Sequence, residues 1–267
     1  MYRTFLILLL FISQTTFSQI QHPNDDDRTI KMPIVFHVIY TNSVDSISEE
    51  TILSELANLN QDYSASNDMS MVENRFKTNI GNPNILFHML DSSFQENIKG
   101  VKYIKSENPV GSSPMNISPL IDSKSTLNIY VYKMGGASTP RPGDFVRIDF
   151  NYIGSGTHTL THEIGHAFGL WHLWGQVSNC NKGKAFGAKM FSKGSDDVDD
   201  TPPQFSCTDW KGKYQKCPIN KRKFKKRNYN NFMDYNACRC MFTNGQVLSM
   251  RRTIIERHPE LFNSSLD

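Results

Sequence analysis

Residues His162 to His172, reading HEIGHAFGLWH, constrain this chain more than any other stretch. His162 and His166 stand four positions apart, so on a helix they lie one above the other on one face and can both reach a single metal ion. Glu163, the next residue, is turned away from ligation yet stays close enough to take a proton from water at that metal. Gly169 can adopt the left-handed conformation that ends a helix, which lets the chain turn and return His172 to the metal from another direction. Three neutral nitrogen ligands with one open position form the pattern of a catalytic zinc, whereas structural zinc sites are closed by a fourth protein ligand, commonly cysteine. A lone histidine in such a helix reads more simply as a buried, hydrogen-bonded core residue. Five specified positions in this order arise by chance in a chain of this length less than about once in ten thousand, which sets the simpler reading aside.

Further along, NFMDY at Asn231 to Tyr235 supplies a companion signal. By itself, a methionine among aromatics is ordinary core, but downstream of an extended histidine motif it reads as a Met-turn. Met233 is then expected beneath the metal as a soft apolar floor and not as a ligand. Tyr235 is expected to aim its hydroxyl at the oxyanion that develops during hydrolysis.

On these residues the chain resembles the pappalysin family of metzincin zinc endopeptidases, above all its small secreted bacterial members. The resemblance begins at MPIVFHVIY (Met32 to Tyr40) and LNQDYSASND (Leu59 to Asp68), and continues through LNIYVY (Leu127 to Tyr132) and THEIGHAFGLWHLWG (Thr161 to Gly175). It ends with DDVDDTP (Asp196 to Pro202), the Met-turn and MFTNGQVLSM (Met241 to Met250), all in the family's order. It implies that His162, His166 and His172 are zinc ligands, that Glu163 is general base and acid, and that Met233 and Tyr235 are the Met-turn pair. It also implies a substrate bound extended and antiparallel along an edge strand above the cleft. The stretch after Met134, with its paired glycines and TPRPG, is the expected rim. Some bacterial relatives carry acidic residues just after the Met-turn tyrosine, which select a basic side chain on the primed side of the cut. Here Asn236, Ala237 and Arg239 occupy that region, which leaves the preference open. Relatives also have a longer pro-segment in which a cysteine or acid can occupy the zinc. Residues 19–28 hold no cysteine, so either Asp25 to Asp27 cover the metal or the enzyme is exported nearly ready to act.

Met1 to Ser18 reads as a secretory signal peptide, with Arg3 as the positive start, an apolar run from Phe5 to Ile12, and Thr16 and Ser18 before a cut. The apolar run is too short to span a bilayer, so no membrane anchor is expected after cleavage. Residues 19–28, with three successive aspartates, read as a flexible leader or short pro-segment. Residues 29–267 read as one catalytic domain, its N-terminal subdomain ending near 169 and its C-terminal subdomain beginning near 170. The net charge of +3 is mild and predicts no specific nucleic-acid partner. One dense basic run, Lys221 to Arg227, is either a solvated loop or a contact for acidic substrates or polyanions.

All five cysteines follow His172 and fit an oxidising compartment. The resemblance implies two disulfides, Cys180 with Cys207 and Cys217 with either Cys238 or Cys240, so that one thiol is left over. A structural zinc on these cysteines is disfavoured by their irregular spacing. Asp196, Asp197, Asp199, Asp200 and Thr201 form either a hydrated acidic loop or, by the resemblance, a structural calcium site.

Apolar runs rich in β-branched and aromatic residues predict strands at Ile34 to Tyr40, Ile85 to Leu90, Leu127 to Tyr132 and Phe145 to Phe150. Ser48 opens a helix with an apolar stripe of Ile52, Leu53, Leu56 and Leu59, and a second helix carries the histidine motif. The expected class is α+β. It would have a mixed, twisted sheet of the metzincin type, a backing helix and an active-site helix. The C-terminal subdomain, with little periodicity from 173 to 230, would be irregular and disulfide-braced. The function implied is a secreted zinc endopeptidase acting on proteins or peptides. Alternatives are a zinc amidase on cell-wall peptides and a secreted polyanion-binding protein, although binding alone requires no base beside an open metal position.

Overall fold

Strand β1 (Ile30–Tyr40) is buried along nearly its whole length because both of its faces are covered. Met32, Ile34, Phe36 and Val38 enter the main core, while Val35 and Ile39 join smaller clusters on the opposite face. A strand covered on both sides reads as an unbroken apolar run, which is how this one looks in the sequence. The computed structural model describes residues 20–90, 100–107, 110–111, 113–175, 195–204, 206–208, 217 and 227–263.

The chain continues through helix α1 (Glu49–Tyr63) and the short strand β2 (Ile80–Gly81) to β3 (Ile85–Met89) and β4 (Val101–Lys105). β3 and β4 both pair in parallel with β1, one along each half of it, and β5 (Leu127–Tyr132) lies parallel on its other side. β7 (Phe145–Asp149) extends the sheet in parallel from β5. β6 (Ala137–Ser138) closes the six-stranded sheet as its antiparallel edge. The fold is therefore α+β on a mixed sheet, as the sequence predicts, with β4 and β6 as additional strands. Behind β1, the one buried polar residue on the far face is satisfied: the His37 ring stacks on Tyr130 at 4.4 Å and meets Ser118 Oγ at 2.7 Å and Asn128 Oδ1 at 3.0 Å. Burial lowers the His37 pKa to about 4, so the ring is neutral.

Helix α1 begins where Ser48 Oγ accepts from the Thr51 amide, and it buries Ile52, Leu59 and Tyr63. Leu53 is not in this stripe and is 48% exposed. The buried face is instead completed by Glu55 and Asp62. Glu55 accepts from the Gly154 amide, and Asp62 accepts from His158 Nδ1 at 2.7 Å and Thr161 Oγ1 at 2.6 Å. Two carboxylates thus tie α1 to the start of helix α2 (Thr159–Ala167), the helix that carries the histidine motif.

A third long helix, α3 (Asn244–Arg257), follows the short strand β8 (Phe242–Thr243), and α4 (Glu260–Asn263) comes after it. Thr243 and Gln246 form a reciprocal capping box at the start of α3. Asp200 adds to this cap by accepting from the Gly245 amide at 2.8 Å and from Thr243 Oγ1 at 2.6 Å. Asp196 is buried and receives Thr201 Oγ1 and Gln246 Nε2, and burial raises its pKa to about 7. Asp196 and Asp200 thus help to hold the start of α3, while Asp199 is exposed. Among the described residues, the only group of three or more ligating side chains drawn together is the histidine triad.

The segment at 20–28 differs from the expected flexible leader. Asp25 is buried and receives Arg251 of α3 through both carboxylate oxygens, with side-chain exposures of 2% and 3%. Asp26 pairs with Arg28, and Asp27 accepts from Gln21. The three aspartates face these partners and not the histidines, so they do not cover the metal position. Residues 1–19, where the signal-peptide reading falls, lie outside the described residues, and among those described no helix is long and apolar enough to cross a membrane.

Of the two cysteine choices left by the sequence, Cys217 pairs with Cys238. Cys240 is a buried free thiol whose pKa burial pushes up to about 12. Cys207 is also disulfide-bonded, and Cys180, its expected partner, lies outside the described residues. So do residues 221–226 of the basic run. Its last member, Arg227, turns inward and donates to the Cys207 carbonyl at 2.7 Å.

Candidate active site

Every residue of α2 from Leu160 to Ala167 is buried. At its end Gly169 takes φ +91°, and its amide bonds back to His166 while that of Leu170 bonds to Gly165. A side chain there would be strained, and its Cβ would stand 2.7 Å from Thr253 Oγ1. This turn brings His172 back beside the helix, so that ligand atoms of His162, His166 and His172 all lie within 4.8 Å of one another.

The orientation of the rings suits a metal. His162 Nδ1 meets the Phe232 carbonyl at 2.7 Å and His166 Nδ1 meets the Leu170 carbonyl at 2.8 Å. A carbonyl can only accept, so each Nδ1 carries the proton and each Nε2 presents a lone pair. His162 Nε2 is buried with no hydrogen-bond partner, and His166 Nε2 lies 3.1 Å from His172 Nε2. Lone pairs converging in a buried pocket are the donor set of a cation such as zinc. Burial lowers the pKa of His162 far below its usual value and that of His166 to about 4, which keeps both neutral and able to ligate.

Met233 packs against α2 from below: a Cβ at Gly165 would stand 2.6 Å from its sulfur. The turn around it is fixed by buried polar groups. Asn231 accepts from the Met233 amide at 2.9 Å and donates to Gln246 at 2.7 Å. Asp234 accepts from the Thr208 amide at 2.9 Å and from its hydroxyl. Tyr235 is thereby placed with its hydroxyl 2.9 Å from His172 Nε2, beside the metal position.

Glu163 is 6% exposed and burial raises its pKa to about 7, a shift opposed by a hydrogen bond from Thr139 and by the charges of Arg239 and Arg147. Thr139 Oγ1 donates to Glu163 Oε2 at 2.9 Å from just beyond β6, so the rim and the helix meet at this carboxylate. The sequence had marked that stretch only as a rim. Trp174 was not singled out at all. It is fully buried, stacks on His172 with centroids 4.5 Å apart and planes 4° from parallel, and meets the Tyr235 ring edge-on at 5.0 Å. Its position two residues after the third histidine was the available signal.

Residues 133–255 match the peptidase family described as pregnancy-associated plasma protein-A. The chain is 26% identical over 243 residues to an extracellular metalloprotease of Arthroderma gypseum, covering 81% of this chain and 69% of that one. Over 101 residues it is 33% identical to human pappalysin-1, a match that takes in 35% of this chain and only 6% of that much longer protein. The structure superposes on mature mirolysin of Tannerella forsythia in complex with a cleaved peptide, with a TM-score of 0.69, 27% identity and coverage of 88% of this chain and 99% of the other. Over residues 133–255 the chain resembles the pappalysin family, and its fold is that of the mirolysin metzincin. It is accordingly a zinc metalloprotease, and the buried histidine triad is where it can hold the ion.

Proposed function

We propose that the protein is a secreted endopeptidase in which His162, His166 and His172 hold the zinc and Glu163 acts as general base and acid. The observation that carries this reading is the convergence of three imidazoles, with an unpartnered Nε2 on His162, beside a buried carboxylate. When bound, zinc supplies Lewis acidity, which makes water more acidic and polarises the scissile carbonyl. Glu163, held by Thr139, accepts the proton of the attacking water and delivers it to the leaving amine. Tyr235 donates its hydroxyl to the oxyanion that forms on the carbonyl carbon. Phe232 and Leu170 hold the first two imidazoles in the ligating tautomer, and the Trp174 ring fixes the third. The free edge of β6 offers main-chain groups to an extended substrate. Export is supported by the signal-like start of the sequence and by the extracellular relative.

Purified protein is to be incubated with casein, with and without a chelator, beside a Glu163→Ala variant whose zinc content is measured. The expected outcome is cleavage that requires both the metal and Glu163, with the variant still binding zinc. A wild-type protein that takes up zinc and cuts nothing would end the endopeptidase reading.

A further inference from the structure

The segment Thr139 to Gly143, TPRPG, is built to be stiff. Pro140 and Pro142 fix their own φ angles and push the residue before each of them away from helix. Gly143 closes the turn so tightly that a Cβ there would stand 2.5 Å from the Pro140 carbonyl oxygen. Its amide donates at 3.0 Å to the carbonyl of Ala167, the last residue of α2. With Thr139 bonded to Glu163, the segment is pinned at both ends to the active-site helix. Arg141, between the two prolines, reaches from it to the turn that follows that helix.

Arg141 Nη1 donates to the Gly169 carbonyl at 2.6 Å, and the guanidinium lies over the Trp171 ring. Burial lowers its pKa to about 10, so the cation persists at neutral pH and its bond to the carbonyl is charge-assisted. Its Nε is buried with no hydrogen-bond partner, a cost offset by the seat of the cation on the indole face. The two grips fall on either side of Leu170, whose carbonyl accepts from His166 Nδ1. Trp171 is the residue immediately before His172. One side chain thus holds the three residues that aim the second imidazole and deliver the third. Gly169, at φ +91°, has no side chain of its own to settle that turn.

We propose that Arg141 is a positioning residue: it locks the turn from Gly169 to Trp171 to the rim, and through that turn it holds His166 and His172 in the ligating geometry. The inference rests on the zinc ligation in the reading above. A ligand loop that is free to shift must be ordered each time it takes up the metal, whereas one held by a charge-assisted bond and a stacked cation is ordered beforehand. Groups behind metal ligands act in this way, and loss of one costs roughly ten- to a hundredfold in affinity or activity. Arg141 stands one step further out than Leu170, so the lower figure applies. A clip that only stiffened the rim would change stability or substrate binding and leave the metal site as it was.

The test measures the zinc dissociation constant, by competition with a chelating dye, for wild type, Arg141→Met, Arg141→Lys and Trp171→Leu. Melting temperatures are taken alongside, with kcat and KM on a peptide that wild type cuts. Arg141→Met is expected to weaken zinc binding roughly tenfold and to lower kcat by a similar factor, while KM stays within about twofold. Arg141→Lys keeps the charge but not the flat fork, and it recovers part of the affinity. Trp171→Leu weakens zinc binding in the same direction, and adding Arg141→Met to it costs less than in wild type because both act on one turn. Unchanged zinc affinity in Arg141→Met overturns the proposal, whether KM rises, as for a rim residue, or only the melting temperature falls, as for a plain clip. Should Arg141→Met fail to fold, Arg141→Lys and Trp171→Leu decide by the same zinc measurement. Wild type that binds zinc and cuts nothing ends the peptidase reading but leaves the zinc measurement to decide on Arg141, and wild type that takes up no zinc ends both.

Discussion

The sheet half of the molecule and the half that follows His172 are held by different forces. Around β1 the chain is fixed by apolar side chains at strand and helix spacing, and Ile34, Phe36, Ile129 and Ile164 share one core. Around the Met-turn it is fixed by buried polar groups: Asn230, Asn231, Asp234 and Gln246 are almost wholly buried and bonded to backbone or to one another. Apolar packing tolerates small shifts, whereas hydrogen bonds in a dry interior fail steeply when misaligned. The active site spans both halves. Its helix is seated by the first, and its floor and its tyrosine are aimed by the second.

This contrast predicts a separation of effects. The largest is expected from Asp25→Ala, which leaves Arg251 buried without its partner and costs about 3–5 kcal/mol in urea unfolding. A loss below about 1 kcal/mol would mean that the polar anchor is dispensable and the contrast overstated. Ile34→Ala opens a cavity in the sheet core and is expected to cost about 2–4 kcal/mol while zinc affinity, measured by competition with a chelating dye, stays the same. If zinc affinity falls as well, the two halves are not energetically separable.

Tyr235→Phe removes one oxyanion donor and is expected to lower kcat about a hundredfold with little change in Tm. Thr139→Val should have the smallest effect, about tenfold in kcat/KM, with a distinctive pH signature. Glu163 accepts a proton only when ionised, so activity falls as pH drops through its pKa, which is about 7 for the carboxyl as it stands and lower beside a bound cation. The Thr139 hydrogen bond favours the ionised form, so its removal moves the acid limb to higher pH. An acid limb that stays in place would show that Thr139 only fills space.

The histidine motif was legible because all its geometry is local: a helical spacing and one glycine turn. Strands β1 and β5 were legible because burial on both faces writes itself as apolar runs. Helix α3 was harder to see, since its buried face includes Gln246 and Arg251 and so shows no clean apolar stripe, although Thr243 and Gln246 spell its cap. Asp25 shows the same limit. A run of acids reads as solvated until Arg251, 226 positions away, is brought against it. In the acidic segment at 196–200, Asp200 likewise finds its partner far along the chain, at the Gly245 amide of a helix start. Sequence gives the charges, and only folding assigns their partners.

The Asp25–Arg251 pair also fixes an order of events. A chain emerges amino end first, so the sheet and its helices can assemble while the Met-turn and Arg251 are still to be made. The turn carrying Met233, the tyrosine beside His172 and the lock on the first described segment all come from residues 231–251, long after the sheet has been made. A peptidase assembled in this sequence cannot become active as a fragment, and a cell that interrupts its synthesis releases a scaffold without a working centre.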